Sequence, residues 1–110
     1  VKIVEYLTRE GESPFRKWFD KLESRAAAKV TTALIRLGMG NTSNVKGVGG
    51  GVREYKIDFG PGYRVYFGMD GPELVILIGG GTKKHQSLDI RKAGNYWADY
   101  KKRRKINMEG

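Results

Sequence analysis

Between Val52 and Ile78 the chain carries three β-rich runs, VREYKIDF (52–59), YRVYF (63–67) and ELVILI (73–78), separated by short glycine-rich turns. Parallel neighbours need a crossover of a dozen residues or more, so links this short dictate antiparallel neighbours and a meander at the centre of the fold. Side chains alternate along a strand. In the first run Tyr55, Ile57 and Phe59 make one face and Glu54, Lys56 and Asp58 the other; in the second, Tyr63, Val65 and Phe67 oppose Arg64 and Tyr66. Both apolar sets reach the same side only when paired residue numbers sum to an even number. A three-residue loop, Gly60-Pro61-Gly62, satisfies this by pairing Phe59 with Tyr63 and Ile57 with Val65. A slip of one residue would bury Arg64 opposite Ile57. The register sets Asp58 across from Arg64 and Lys56 across from Tyr66, and gathers Glu54, Lys56, Asp58, Arg64 and Tyr66 on an open, polar sheet face. The third run is apolar on both sides and is expected to be the best covered.

The flanking segments read as one more strand and three helices. VKIVEYLT, at the start, is rich in β-formers. Ser13 then has the character of an N-cap and Pro14 of a first helical residue, and Phe15, Trp18, Phe19 and Leu22 form an amphipathic stripe that is core rather than a stacking platform. Ser24 is the expected cap of a second helix, RAAAKVTTALIRLG, with Ala27, Val30, Leu34 and Leu37 inward and Gly38 and Gly40 at its end. Arg25, Lys29 and Arg36 fall on one side of it, within about 40° at 100° per residue. NTSNVKGVGGG reads as a loop. Neither it nor GGGTKK (79–84) matches the phosphate-binding pattern G-x-x-x-x-G-K-[ST], so no nucleotide fold is indicated. SLDIRKAGNYWADYKKRRK is helical by the spacing of Ile90, Ala93, Trp97 and Tyr100, capped at or just before Ser87, with Asp89 in its first turn and a basic end. Gly94 inside it costs about 1 kcal/mol relative to alanine unless the helix lies tight against the sheet there.

The resulting order is an α+β chain, β-α-α-β-β-β-α, with an antiparallel sheet packed on helices. At 110 residues it forms a single domain, 1–110, whose basic tail 101–110 is a candidate flexible segment. There are no cysteines and one histidine, so thiolate and imidazole-rich metal sites lack ligands and no cofactor is expected. Without a signal peptide or a membrane-length apolar stretch, the default location is cytoplasmic and no membrane partner is expected. The formal charge is +9, and it is clustered: residues 83–110 carry nine Lys/Arg against three Asp/Glu, residues 1–82 twelve against nine. Such clustering favours a polyanionic partner over a merely solvated surface.

RLGMGNTSNVKGVGGGVREYKIDFGPGYRVYF (36–67) and LIGGGTKKHQSLDI (77–90), with the amphipathic helix at 15–22, resemble the RelE/ParE superfamily of toxins from toxin–antitoxin modules. The similarity is to its phage-derived, HigB-like branch of addiction-module killer proteins. It rests on several blocks in the right order: a helix ending before G-N, a V-K, a G-V, an E-x-[RK]-I strand, the G-P-G-Y-R-V-Y-F hairpin, and G-G-x-K-x-x-Q before D-I. The resemblance implies a ribosome-associated endoribonuclease that cleaves mRNA, holds RNA on the concave sheet face, and is silenced by a cognate antitoxin with a helix-turn-helix DNA-binding domain. It also implies roles for Lys56 as the basic strand position, for Arg64 as the hairpin arginine, and for Lys83 or Lys84 and Gln86 after the glycine run. Many relatives carry arginine where this chain has Lys56, so the bidentate fork is lost there. The alternative is a non-catalytic binding toxin, such as a gyrase inhibitor of the ParE branch, or an RNA-binding regulator, since one fold serves both.

Metal-independent RNA cleavage needs a base for the 2′-OH, an acid for the leaving 5′-oxygen, and donors for the charge on the phosphoryl oxygens. Arg64 on its strand suits the last requirement, its other reading being a cross-strand pair with Asp58. Lys56 and Lys83 are candidates for further catalytic contacts. Imidazole ordinarily changes charge near neutrality, which makes the single histidine, His85, a candidate acid or base. Glu54 and Asp58 are also candidate bases, so the base stays unassigned. Lys84, Gln86, Tyr66 and Arg53 are the candidate RNA-binding residues.

Overall fold

In the computed structural model, which describes residues 1–109, the elements follow the order β1 (Lys2–Glu5), α1 (Pro14–Asp20), α2 (Ser24–Gly38), β2 (Val45–Gly49), β3 (Val52–Ile57), β4 (Tyr63–Met69), β5 (Leu74–Thr82) and α3 (Gln86–Glu109). A single 3₁₀ turn, Lys83–His85, leads into α3. The chain is α+β, with one five-stranded sheet in the order β1-β5-β4-β3-β2. The sheet is mixed rather than antiparallel throughout: β1 runs parallel to β5, and the other neighbours are antiparallel.

One strand is not expected from the sequence. β2 lies within the segment expected to be a loop and pairs with β3, Val45 with Tyr55 and Lys46 with Glu54. Glycine weakens a strand through entropy and lost packing, but at a sheet edge the backbone hydrogen bonds suffice. The same glycine run supplies the turn: Gly50 and Gly51, at φ 63° and 86°, form the two-residue link that a tight hairpin requires.

The meander forms with the expected parity but slides by two residues. Tyr55 pairs with Val65, Lys56 with Arg64 and Ile57 with Tyr63. The link therefore spans residues 58–62, closed by a hydrogen bond from Gly62 N–H to Phe59 O at 3.0 Å. Sliding by two keeps every side chain on its face and changes only its partner.

Helices cover both faces of the sheet. On one side Phe15 of α1 and Val30, Ala33 and Leu37 of α2 pack on Tyr55, Ile57, Val65, Phe67, Val75 and Leu77. On the other, Ala93 and Trp97 of α3 pack on Tyr6, Val52, Tyr66, Ile76 and Ile78. Val75 to Ile78 are buried on both faces, as the two-sided apolar run predicts, although β5 continues to Thr82 rather than ending at Ile78.

The cap of α1 forms as predicted, Ser13 Oγ accepting from Arg16 N–H at 3.0 Å with Pro14 in the first turn. The cap of α2 is Glu23 rather than Ser24, its carboxylate accepting from Ala26 N–H at 2.8 Å. The buried stripe of α2 is Ala26, Val30, Ala33 and Leu37, with the expected Ala27 and Leu34 only partly covered at its margin. Gly94 faces open space, so no tight sheet contact requires it. The basic tail is the last part of α3, with Gly110 outside the described residues. Tyr6 donates to Asp99 at 2.6 Å and Tyr100 to Asp70 at 2.6 Å, and both carboxylates also pair with arginines, Arg103 and Arg104, at 2.8 Å.

Candidate nucleic-acid interface

The even-numbered residues of β3 and β4 lie on the side of α3, and the helix closes over Glu54, Arg64 and Tyr66 while Lys56 stays exposed. Glu54 is fully buried and Arg64 only 5% exposed, so Arg64 does not point into an open polar face. The expectation failed because α3 starts immediately after β5 and lies across that face. Arg64 Nε is 3.5 Å from Glu54 Oε1, and its Nη1 donates to Gly62 O at 2.8 Å. Gln86, in the first turn of α3, donates from Nε2 to Glu54 Oε2 at 2.8 Å. Lys46 Nζ approaches Glu54 Oε1 at 3.9 Å from β2. A buried ion pair is tolerable only when both charges find partners, and these partners come from β2, the 58–62 loop and α3. Arg64 Nε, Glu54 Oε1 and the Tyr66 hydroxyl still lack hydrogen bonds, so the pair interacts by charge at a distance rather than by a well-formed bond.

Tyr66 is likewise buried, and it faces Glu54 across the strands. Burial, reinforced by the Glu54 and Asp89 carboxylates, holds its phenol well above the ordinary tyrosine value. A phenol so placed keeps its proton near neutrality and has no face for a base to stack on. Asp89, one turn into α3, is raised above the ordinary aspartate value by burial, against the pull of Lys92 and His85. It sits directly on β5: a Cβ on Gly81 would lie 2.0 Å from its Oδ2, and one on Gly80 would lie 2.2 Å from the Trp18 ring on the opposite face. Gly80 and Gly81 thus serve close packing of α3 and α1.

Around this buried cluster lies an exposed cationic rim. Lys46 and Lys56 stand on β2 and β3, while Lys83, Lys84 and His85 form the 3₁₀ turn. The turn is tied to the hairpin through one carbonyl: Gly62 O accepts from Lys83 N–H at 3.0 Å as well as from Arg64. Lys56 pairs with Asp58 at 3.6 Å, both exposed, in place of the expected Asp58–Arg64 pair.

Of the residues singled out by sequence, Lys56, Lys83, Lys84 and His85 are exposed at this end of the sheet. Gln86 is engaged with Glu54 and Tyr66 is enclosed. Arg53 lies on the opposite sheet face, sharing the side of Tyr55 and Ile57, because it is odd-numbered on β3. Lys46 and the bond between Gln86 and Glu54 are not signalled by the sequence, because Lys46 sits in a glycine-rich run that resembles a loop and Gln86 reaches Glu54 from a distant helix. Among the described residues no group of three His, Cys, Asp or Glu could hold a metal ion, and no helix is long and apolar enough to cross a membrane.

No family model matches the chain. An uncharacterized protein of Haemophilus influenzae is 44% identical over 80 residues, which span 72% of this chain and 81% of that protein. At that identity and coverage the chain belongs to the same family as the Haemophilus protein.

Proposed function

We propose that this chain is an mRNA-cleaving toxin of the RelE/ParE type, of the HigB-like branch, acting on the ribosome and held silent by a cognate antitoxin with a helix-turn-helix domain. The observation that carries the reading is the cationic rim: Lys46, Lys56, Lys83 and Lys84, with His85 beside them, surround one end of the sheet, on a chain of charge +9. Lysines in that number bind a nucleic-acid backbone largely through phosphate charge, in a salt-dependent way. In cleavage, the 2′-oxygen passes its proton to solvent water and bonds to phosphorus as the bond from phosphorus to the 5′-oxygen breaks, and that oxygen leaves with a proton. Lys56 and Lys83 stabilise the phosphoryl oxygens, and His85 is the proton donor to the leaving oxygen. Arg64 acts from below, fixing the Gly62 carbonyl on which Lys83 depends, rather than touching the phosphate.

Primer extension on a reporter mRNA, with and without translating ribosomes, tests this reading. Wild type should cut only with ribosomes, and Lys83→Ala and His85→Ala should each lose cutting by about a hundredfold or more. Uncut mRNA in every lane would overturn it.

A second reading, a non-catalytic toxin of the gyrase-inhibiting kind or an RNA-binding regulator, is favoured by one observation: the arginine best suited to phosphoryl chemistry is buried and paired with Glu54. Growth arrest with DNA-damage signalling and intact mRNA would select the gyrase form.

A further inference from the structure

Helix α2 carries an exposed basic pair that the rim does not use. Lys29 and Arg36 stand on its outer side, and neither forms an ion pair among the described residues. With Thr32, Asn44, Lys56 and Asp58 they line a cavity of about 260 Å³ between α2 and the end of β3. A second cavity, of about 280 Å³, opens beside it and reaches Ser43, Val45 and Lys46 at the start of β2. The two share Asn44, Lys56 and Asp58, so they form one furrow running from α2 to the sheet edge at β2. Its cations are Lys29, Arg36, Lys46 and Lys56, against a single carboxylate, Asp58, which Lys56 approaches at 3.6 Å. At the α2 end, Lys29 Nζ lies 5.5 Å from the centre of the Phe59 ring, which is half-buried and stacks on Tyr63 at 6.4 Å.

We propose that this furrow binds the backbone of a single RNA strand and carries it from the rim at Lys46 and Lys56 across to Lys29 and Arg36 of α2. The inference rests on the RNA reading of the rim and adds where the strand continues. Four cations against one carboxylate leave positive charge for phosphates. Thr32, Ser43 and Asn44 supply hydroxyl and amide groups of the kind that bond phosphate and sugar oxygens. The Phe59 ring beside Lys29 suits an unpaired base, since a basic groove with an aromatic platform is how single strands are held. The exposed lining residues are all polar, whereas a protein partner is held mainly by apolar and aromatic anchors.

The test is fluorescence anisotropy of the full chain with a labelled 2′-O-methyl decauridine, whose blocked 2′-oxygens prevent cutting and separate binding from cleavage. Lys29→Ala/Arg36→Ala, both on an exposed helix surface, should weaken binding about tenfold or more. It should also reduce the slope of log K against log salt by about 1.4, the change for two single-strand phosphate contacts. Lys2→Ala/Lys21→Ala removes the same charge from the opposite sheet edge and the end of α1, and should change binding by less than about twofold. An α2 variant that binds as tightly as wild type would overturn the furrow, as would an equal loss in the control variant; either result leaves cleavage by the rim standing. Uncut mRNA in primer extension, with the α2 effect on binding intact, would strike the cleavage reading alone. Wild type that binds no oligonucleotide but binds a penta-glutamate peptide through Lys29 and Arg36 would overturn RNA as the occupant in favour of an acidic protein.

Discussion

The two faces of the sheet are built on opposite principles. Under α1 and α2 the odd-numbered strand residues bury Tyr55, Ile57, Val65, Phe67, Val75 and Leu77 against aliphatic and aromatic side chains. Under α3 the same strands bury Glu54, Arg64 and Tyr66 beside Val52, Ile76 and Ile78, and the helix is fastened by polar contacts to Glu54, Tyr6 and Asp70. An apolar face is stable whatever its partners, provided volume is conserved. A polar one is stable only when each group finds its mate. Stability therefore rests on the first face, and the second carries a constraint that hydrophobic packing does not require. It also ties the hairpin to the turn at Lys83–His85 through the Gly62 carbonyl.

The largest effect expected separates the two faces directly. Glu54→Ala leaves Arg64 buried without its counter-charge and should cost about 3–5 kcal/mol, read as a shift in denaturation midpoint. Replacing the pair together, Glu54→Leu with Arg64→Met, should recover most of that loss. A single variant no worse than a surface substitution would mean that α3 does not enclose the pair.

Next comes the close approach of the helices. Gly80→Ala drives a methyl into the Trp18 ring on the apolar side and should cost about 1–3 kcal/mol, while Gly81→Ala, opposed by the movable end of Asp89, should cost less. The reverse order would show α3 to be the more rigid of the two covers. Smaller again, and opposite in sign, is Tyr66→Phe. Deleting a buried hydroxyl that has no partner should leave stability unchanged or raise it by about 1 kcal/mol. A clear loss in the thermal midpoint would reveal a partner for that oxygen.

The smallest effects are in acid. The Tyr6 hydroxyl, with help from Arg103, holds the Asp99 carboxyl below its ordinary value, so its contribution is present above about pH 4 and is lost as pH falls through the depressed value. Asp89, raised by burial, contributes in the other direction: the fold favours its protonated form, and that contribution fades as pH rises through the raised value. Asp99→Asn should flatten the acid decline of the stability profile and Asp89→Asn should steepen it. Identical profiles for both variants would contradict the opposite environments assigned to them.

Much of this fold is written in local patterns. The parity of the meander follows from alternation alone, which placed Glu54, Lys56, Arg64 and Tyr66 on one face and Tyr55 and Val65 on the other. The cap at Ser13 and the stripe of Ile90, Ala93, Trp97 and Tyr100 were equally local. What escaped depended on distant chain. Alternation is blind to a slide of two residues, so it could not pair Lys56 with Arg64. Nor does it reveal that α3 returns across the polar face, so Arg64 was expected in the open. Glycine near residues 47–51 signals a turn more strongly than an edge strand, and Lys46 was lost with β2. Lys83 and Lys84 were legible in the basic stretch 83–110, Lys56 in the alternation of its strand and His85 as the single imidazole; the burial of Arg64 and Tyr66 is not a property of the sequence pattern.

The central claim is that the rim does the chemistry and the buried pair only supports it. Ribosome-dependent mRNA cleavage by the refolded Glu54→Leu/Arg64→Met variant, measured beside Lys83→Ala at matched folded fraction, tests it most directly. The account predicts that the double variant keeps cleavage within about tenfold of wild type while Lys83→Ala loses a hundredfold or more. A folded double variant as inactive as Lys83→Ala would contradict it and return Arg64 to direct contact with the phosphate, reached by movement of α3.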